Sequence, residues 1–196
     1  AELKDEERIE VMVPFIKYDK CVRCRMCVEV CDTGALISAK DGTPYLIPRL
    51  CSGCRACMLV CPSKAIIEGK RVVGYTYRSK VSFNSEGFTL ITGKLIEGEE
   101  HVPPAVIATK RRLLSEDADV YLIDTSAGTS NSVALALKGA DLVIAVTEPT
   151  PLGLHDLEMI LELTTLMGLE TWIVVNKSGI GPDDEHHRVA EKYGAE

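Results

Sequence analysis

Short apolar runs and helical stretches alternate along the second half of the chain. The runs at residues 120–124, 141–149 and 170–177 are typical of buried strands, and residues 88–96 form a further strand region. Helical periodicity is found at residues 102–116, 130–140, 151–168 and 183–194. Strands that alternate with helices predict an α/β fold with a parallel, doubly wound sheet, which binds ligands at the carboxyl ends of its strands.

The first seventy residues follow a different pattern, which is set by cysteine. All eight cysteines lie between Cys21 and Cys61, in two runs that repeat each other: CVRCRMCVEVCDTGALI and CSGCRACMLVCPSKAII. Each run has three cysteines separated by two residues and a fourth after three more. The apolar pairs Leu36-Ile37 and Ile66-Ile67 predict a strand after each run, and the stretch GTPYLIPRL between the runs predicts a strand that pairs back.

Composition also divides the chain into two unlike parts. Residues 1–70 hold 11 basic and 10 acidic side chains, whereas residues 71–196 hold 11 and 19, and the whole chain of 196 residues has a net charge of −7. This acidic balance argues against nucleic-acid binding. No apolar run approaches the ~18 residues of a membrane span. The charged opening residues are unlike a secretory signal, so we expect a cytoplasmic protein with reduced thiols.

Three kinds of site compete for the eight cysteines. A disulfide framework requires an oxidising compartment, which nothing in the sequence supports. Structural zinc prefers two Cys-x-x-Cys units separated by a longer loop, and the third Cys-x-x-Cys step and the final cysteine of each run fit zinc poorly. The spacing suits [4Fe–4S] clusters, because three closely spaced thiolates wrap one face of the cube and a fourth arrives from elsewhere.

The cysteine pattern resembles that of the bacterial-type two-cluster ferredoxins. This resemblance implies an α+β domain, here residues 16–70, in which the last cysteine of each run serves the other cluster. One implied ligand set is Cys21, Cys24, Cys27 and Cys61, and the other is Cys51, Cys54, Cys57 and Cys31. The first run departs from the family at Asp32, where proline is usual, and this affects the turn rather than the ligands.

Four arginines lie among the implied ligands: Arg23, Arg25, Arg49 and Arg55. They are interpreted either as the solvated surface of a small domain or as a docking face. The second interpretation implies an acidic electron donor of the ferredoxin or flavodoxin class, because complementary charge steers such encounters.

The second half of the chain resembles another family. The segments LIDTSAGTS, ADLVIAVTEPTPLGLHDLEMILEL and VVNKSG are similar to those of the MinD/ParA/Mrp P-loop ATPases, and in particular to members with an inserted two-cluster ferredoxin domain. The resemblance implies that Asp124, Gly128 and Thr129 belong to the Walker B and switch II region, which orients Mg²⁺ and approaches the γ-phosphate. It also implies that Asn176 and Lys177 recognise the base of ATP.

The phosphate-binding motif GxxxxGK[ST] of that family does not occur in this sequence. We therefore interpret the chain as an internal portion that lacks this loop and is not itself an active ATPase. The expected organisation is a connecting segment (1–15), the ferredoxin-type domain (16–70), a linker (71–87) and a partial P-loop NTPase-like domain with a doubly wound parallel sheet (88–196).

The leading functional hypothesis joins these two resemblances. In this hypothesis two [4Fe–4S] clusters transfer electrons and are coupled to an ATP-dependent conformational switch. The ATP, the Mg²⁺ and the homodimer interface are implied by the resemblance alone. Two alternatives stay open. One is an iron–sulfur scaffold or carrier of the Mrp type, and the other is a ferredoxin module fused to a degenerate interaction domain.

Overall fold

The computed structural model describes residues 3–83, 86–181 and 184–195. The chain divides into two compact units, residues 1–113 and residues 114–196. The first unit contains two short cysteine-bearing helices among small strands, followed by a larger sheet and one longer helix. Its elements in chain order are β1 (Glu7–Ile16), α1 (Met26–Glu29), β2 (Leu36–Ser38), β3 (Pro44–Leu46), a 3₁₀ turn (Pro48–Leu50), α2 (Ala56–Leu59), β4 (Ile66–Phe83), β5 (Glu86–Leu95) and α3 (Pro103–Leu113).

Each cysteine run folds into a loop, one turn of helix and the start of a strand. After the first run, β2 pairs antiparallel with β3, with Ile37 opposite Tyr45. After the second run, β4 begins at Ile66, opposite Ile16 of β1. The predicted strands after both runs, and the strand that pairs back, are therefore confirmed. One apolar core lies between the two halves of the cysteine repeat. Its buried members are Ile16, Cys27, Leu36, Cys57 and Ile66.

A three-stranded antiparallel sheet with the order β1-β4-β5 forms the rest of the first unit. The first part of β4 pairs with β1, and its last part pairs with β5. Helix α3 packs on this sheet and buries Ala105 against Ile9 and Val73. The guanidinium of Arg112 at the end of α3 is buried, and it donates hydrogen bonds of 2.9 and 3.0 Å to the carbonyl and hydroxyl oxygens of Thr76.

A buried ion pair joins β4 to the segment that precedes α3. Arg71 bonds Glu99, and their side chains are 18% and 3% exposed. Glu99 also accepts a hydrogen bond of 2.9 Å from the backbone N–H of His101. Burial alone would raise the pKa of Glu99, but the hydrogen bonds from Arg71 and His101 outweigh it and lower that pKa. The carboxylate is therefore held in its ionised form inside the unit.

The sheet differs from the predicted domain boundaries. Of residues 71–87, expected to be a linker, 71–83 belong to β4 and 86–87 to β5, and residues 7–15 of the expected connecting segment (1–15) supply most of β1. The strand region predicted at residues 88–96 is present as β5, but it pairs antiparallel and lies in the first unit. The helix predicted at residues 102–116 lies there too, as α3. Valine, isoleucine and tyrosine are frequent in β4, and such residues favour strands over linkers.

The described residues of the second unit form a parallel strand pair and three helices. Its elements are α4 (Asn131–Leu137), β6 (Val143–Thr147), α5 (Pro151–Met167), β7 (Thr171–Val175) and α6 (Asp184–Tyr193). β6 and β7 pair in parallel with α5 between them in sequence, which confirms this part of the predicted α/β pattern. The side chain of Thr150 caps α5 by accepting a hydrogen bond of 3.0 Å from the N–H of Gly153, and Gly168, at φ 67°, ends the helix.

One predicted strand is wrong. Residues 120–124 form neither helix nor strand, and the side chains of Val120 and Leu122 are 81% and 84% exposed. A strand needs a neighbour that bonds its backbone groups, and within the described part of the chain β6 and β7 pair only with each other. The predicted doubly wound sheet is therefore not formed by the described residues of the second unit, which contain only this parallel pair.

The two faces of the β6–β7 pair have different surroundings. Helices α4, α5 and α6 bury the side chains of Val143 and Ala145 of β6. The alternate positions of the two strands, Ile144, Val146, Trp172 and Val174, are 44–66% exposed. Among the described residues, no helix is long and apolar enough to cross a membrane.

Candidate functional site

Two cavities of nearly equal size lie in the first unit. Each cavity is lined by four cysteines, three from one run and the fourth from the other run. One is lined by Cys51, Cys54, Cys57 and Cys31. The other is lined by Cys21, Cys24, Cys27 and Cys61. The structure thus groups the thiols in the same two sets that the ferredoxin resemblance implies, while ligation itself stays a prediction.

A left-handed residue shapes each cysteine loop. Arg25 and Arg55 have φ of 65° and 66°, immediately before α1 and α2. An L-residue in this conformation costs about 1 kcal/mol. The turn directs the chain into a short helix that buries the third cysteine of its run. Cys27 and Cys57 are accordingly 7% and 8% exposed.

The fourth cysteine of each run is surrounded by hydrogen-bond donors. The N–H of Ala65 donates to Sγ of Cys61 at 3.2 Å. Burial alone would raise the pKa of both Cys31 and Cys61. Backbone N–H groups, of Leu36 for Cys31 and of Ala65 for Cys61, outweigh burial, and the pKa of each thiol is lowered. A lowered pKa favours the thiolate, which is the form that binds metal.

The third cysteines have the opposite environment. Burial raises the pKa of Cys27, and the charges of neighbouring thiolates raise it further. Burial and neighbouring thiolates raise the pKa of Cys57 to about 11. For Cys27 the neighbours are Cys21, Cys24 and Cys61, and for Cys57 they include Cys51, Cys54 and Cys31. Four such thiolates are ionised together only when a cationic centre compensates their charge.

The arrangement of the thiols distinguishes between the competing kinds of site. All eight cysteines are free, so they form no disulfide framework. The ligands of a single zinc ion converge on one point, and no three His, Cys, Asp or Glu side chains of the described ranges do so. Four thiols spread around a cavity suit a larger cubic core, in which each iron takes one thiolate. The residues present therefore fit [4Fe–4S] clusters.

Three of the four arginines among the cysteines bind other parts of the first unit. The pairs are Arg23 with Asp41 at 3.0 Å, Arg25 with the carbonyl oxygen of Lys40 at 2.7 Å, and Arg55 with Glu68 at 2.7 Å. These contacts join the cysteine loops to neighbouring elements. The sequence predicted these arginines only as a solvated surface or a docking face, and their contacts within the unit were missed.

Two of the predicted nucleotide residues follow β7, at the carboxyl end of the parallel strands. The N–H of Asn176 donates to the carbonyl of Thr147 at 2.7 Å, and Lys177 forms an ion pair of 2.6 Å with Glu148. His186 of α6 is 3% exposed, and its Nε2 lies 3.1 Å from the carbonyl oxygen of Glu148. Sequence reasoning missed Glu148, although its position directly after an apolar strand was a usable signal.

The other predicted nucleotide residues, Asp124, Gly128 and Thr129, lie in the irregular segment before α4. Asp124 was expected at the end of a buried strand, but it is exposed because that strand is not formed. Gly128 has φ 88°, a conformation that favours glycine. This geometry gives no support to a Mg²⁺ site at Asp124.

Comparison with known proteins defines the class of the first unit. Residues 20–66 match the sequence model of the 4Fe–4S dicluster domain, a range that includes all eight cysteines. The first unit therefore contains a ferredoxin-like 4Fe–4S dicluster domain.

Two proteins of Methanocaldococcus jannaschii are similar over longer stretches. The uncharacterized protein MJ0578 is 34% identical over 181 residues, which are 91% of this chain and 62% of that protein. The uncharacterized protein MJ0579 is 37% identical over 111 residues, which are 57% of this chain and 40% of that protein. The chain thus spans less than two thirds of the length of each relative. Neither match supports the MinD/ParA/Mrp resemblance.

Proposed function

We propose that the first unit is a carrier of single electrons with two [4Fe–4S] clusters. One cluster is bound by Cys21, Cys24, Cys27 and Cys61, and the other by Cys51, Cys54, Cys57 and Cys31. The observation that carries this proposal is that each cavity is lined by three cysteines of one run and the last cysteine of the other.

A bound [4Fe–4S] cluster supplies the redox chemistry, because it takes up and releases one electron at a time. The residues of this chain hold the clusters and set their surroundings. Cys27 and Cys57 are buried in the same apolar core, so the two sites are neighbours and their inner sides are dry. The N–H groups around Cys31 and Cys61 stabilise the negative charge that reduction adds.

Iron analysis tests this proposal. After anaerobic reconstitution, we expect about eight irons and eight sulfides per chain, and a visible absorbance that decreases on reduction. Reduced ferredoxin or flavodoxin, the proposed class of donor, should produce the same decrease. Retention of the clusters beside an apo-acceptor protein separates an electron carrier from a cluster scaffold. About two zinc ions per chain, without sulfide, would contradict the proposal.

For the second unit, we propose part of an ATP-dependent switch that acts in a homodimer. Support comes from the sequence resemblance and from the parallel β6–β7 pair, whose carboxyl ends carry Asn176 and Lys177, where open α/β sheets bind ligands. In this proposal Asn176 and Lys177 contact the base. Because this sequence has no phosphate-binding loop, we expect weak binding and no hydrolysis by this chain.

A fluorescent ATP analogue measures such weak binding at equilibrium. Replacing Lys177 with glutamine should weaken it, because the lysine lies at the predicted base site. Lys192→Gln is the matched control, since Lys192 also pairs with a glutamate on the surface of this unit, Glu158. If both variants bind as the wild type does, Lys177 does not contact the base. If nothing binds, the second unit is a domain without a nucleotide role.

A further inference from the structure

Both cysteine loops turn at an arginine in a conformation that favours glycine. Arg25 and Arg55 occupy equivalent positions of the repeat and have nearly the same φ, 65° and 66°. Arg23, at φ 57°, corresponds to Gly53, at φ 74°. Glycine adopts this backbone without strain, so arginine at such a position indicates a use for its side chain.

At the first site, two arginines attach the loop to the turn between β2 and β3. Arg25 donates to the carbonyl oxygen of Lys40 at 2.7 Å, and Arg23 pairs with Asp41 at 3.0 Å. The turn also touches the loop directly, because a Cβ added to Gly42 would lie 2.6 Å from the carbonyl oxygen of Arg23. The first loop is therefore held by a charge pair, by a bond to a neutral carbonyl and by close packing.

At the second site, the arginine of the loop is held differently. Arg55 pairs with Glu68 of β4 at 2.7 Å, and both side chains are more than half exposed. The position equivalent to Arg23 is Gly53, which has no side chain to attach. An exposed ion pair contributes little stability and is weakened by salt. A bond from arginine to a neutral carbonyl, such as that of Arg25, is much less sensitive to salt.

We propose that these arginines set the rate at which each cluster site opens, and that the site of Cys51, Cys54, Cys57 and Cys31 opens first. Arg55 and Glu68 close that site, and salt loosens it selectively. This proposal rests on the proposed function, since it requires both clusters to be present. Its consequence is that the two clusters differ in lability although their cysteine spacing is the same.

Cysteine labelling during iron removal resolves the two sites. Holoprotein containing about eight irons is treated anaerobically with an iron chelator, and samples are quenched with iodoacetamide. Each released thiolate displaces iodide and forms a thioether, which peptide mass spectrometry assigns to its residue. We expect Cys51 to be labelled before Cys21, and the difference to widen in about 1 M salt. Equal rates, or earlier labelling of Cys21, overturn the proposal.

Matched variants test the arginine contacts themselves. Glu68→Gln should speed the labelling of Cys51 about two- to fivefold and remove its dependence on salt, with Cys21 unchanged. Asp41→Asn should change the labelling rate of Cys21 less than Glu68→Gln changes that of Cys51. The reason is that the hydrogen bond from Arg25 to the carbonyl of Lys40 remains. Arg55→Lys should restore part of the protection that Arg55→Gln removes.

A Glu68→Gln protein with wild-type labelling kinetics overturns the proposal, and the salt comparison on the wild type needs no variant. A wild-type protein that cannot hold about eight irons overturns the proposed function, and this proposal with it.

Discussion

Replacing Cys61 with alanine should release the cysteines of the first run, not those of its own run. The reason is that Cys61 lines the cavity that also contains Cys21, Cys24 and Cys27. We expect iron to fall from about eight to about four per chain. Alkylation of the purified protein should then label the first three cysteines of the first run, while those of the second run stay protected.

Cys31→Ala is the mirror-image control for this experiment. Cys31 lines the cavity of Cys51, Cys54 and Cys57, so its loss should expose those three and leave the first run protected. If each variant instead exposes the cysteines of its own run, ligation is sequential along the chain and the crossed assignment is wrong. Because the two variants make opposite predictions, general unfolding does not reproduce the expected pattern.

Replacing Arg71 with methionine should destabilise the first unit by about 3–5 kcal/mol. Glu99 is 3% exposed and would keep its charge with its main partner removed. The measurement is unfolding of the holoprotein in urea under anaerobic conditions, monitored by circular dichroism. The double variant Arg71→Met, Glu99→Leu should recover much of the loss, because it removes the buried charge as well.

The destabilisation caused by Arg71→Met should depend on pH in a defined direction. In the wild type the pKa of Glu99 is lowered, so its stabilising contribution is present above the unfolded pKa of about 4.3 and is lost as the pH falls through the folded value. Without Arg71, burial raises the pKa of Glu99 above the unfolded value. The penalty is then largest at neutral pH and shrinks as the pH falls. A loss of stability that does not vary with pH would contradict this explanation.

The cysteine loops could be predicted from the sequence because their pattern is local, whereas the crossed grouping of the cysteines was implied by the ferredoxin resemblance alone. Two runs with equal spacing, each followed by an apolar pair, define the loops, the helical turns and the short strands. Helix α5 and strands β6 and β7 were predictable for a similar reason, since apolar periodicity within one segment reflects one buried face. These features depend on residues that are close together along the chain.

The remaining features depend on partners that are far apart in sequence. Residues 120–124 are apolar enough for a strand, but a strand forms only where a neighbour bonds its backbone. Residues 71–87 contain strand-favouring residues whose partners, β1 and β5, were not recognisable as such. The pair of Arg71 and Glu99 joins positions 28 residues apart, and no spacing rule indicates it.

The composition of the two cavities constrains the order of events during synthesis. The ribosome releases Cys21, Cys24 and Cys27 first. The fourth cysteine that lines their cavity, Cys61, emerges later. At about 5–20 residues per second, this delay lasts a few seconds. A nascent chain that ends before Cys51 completes neither cavity, and β1 lacks its partner until β4 has been made. Under the proposed function, iron delivery therefore follows translation of both cysteine runs, and the two halves of the repeat mature together.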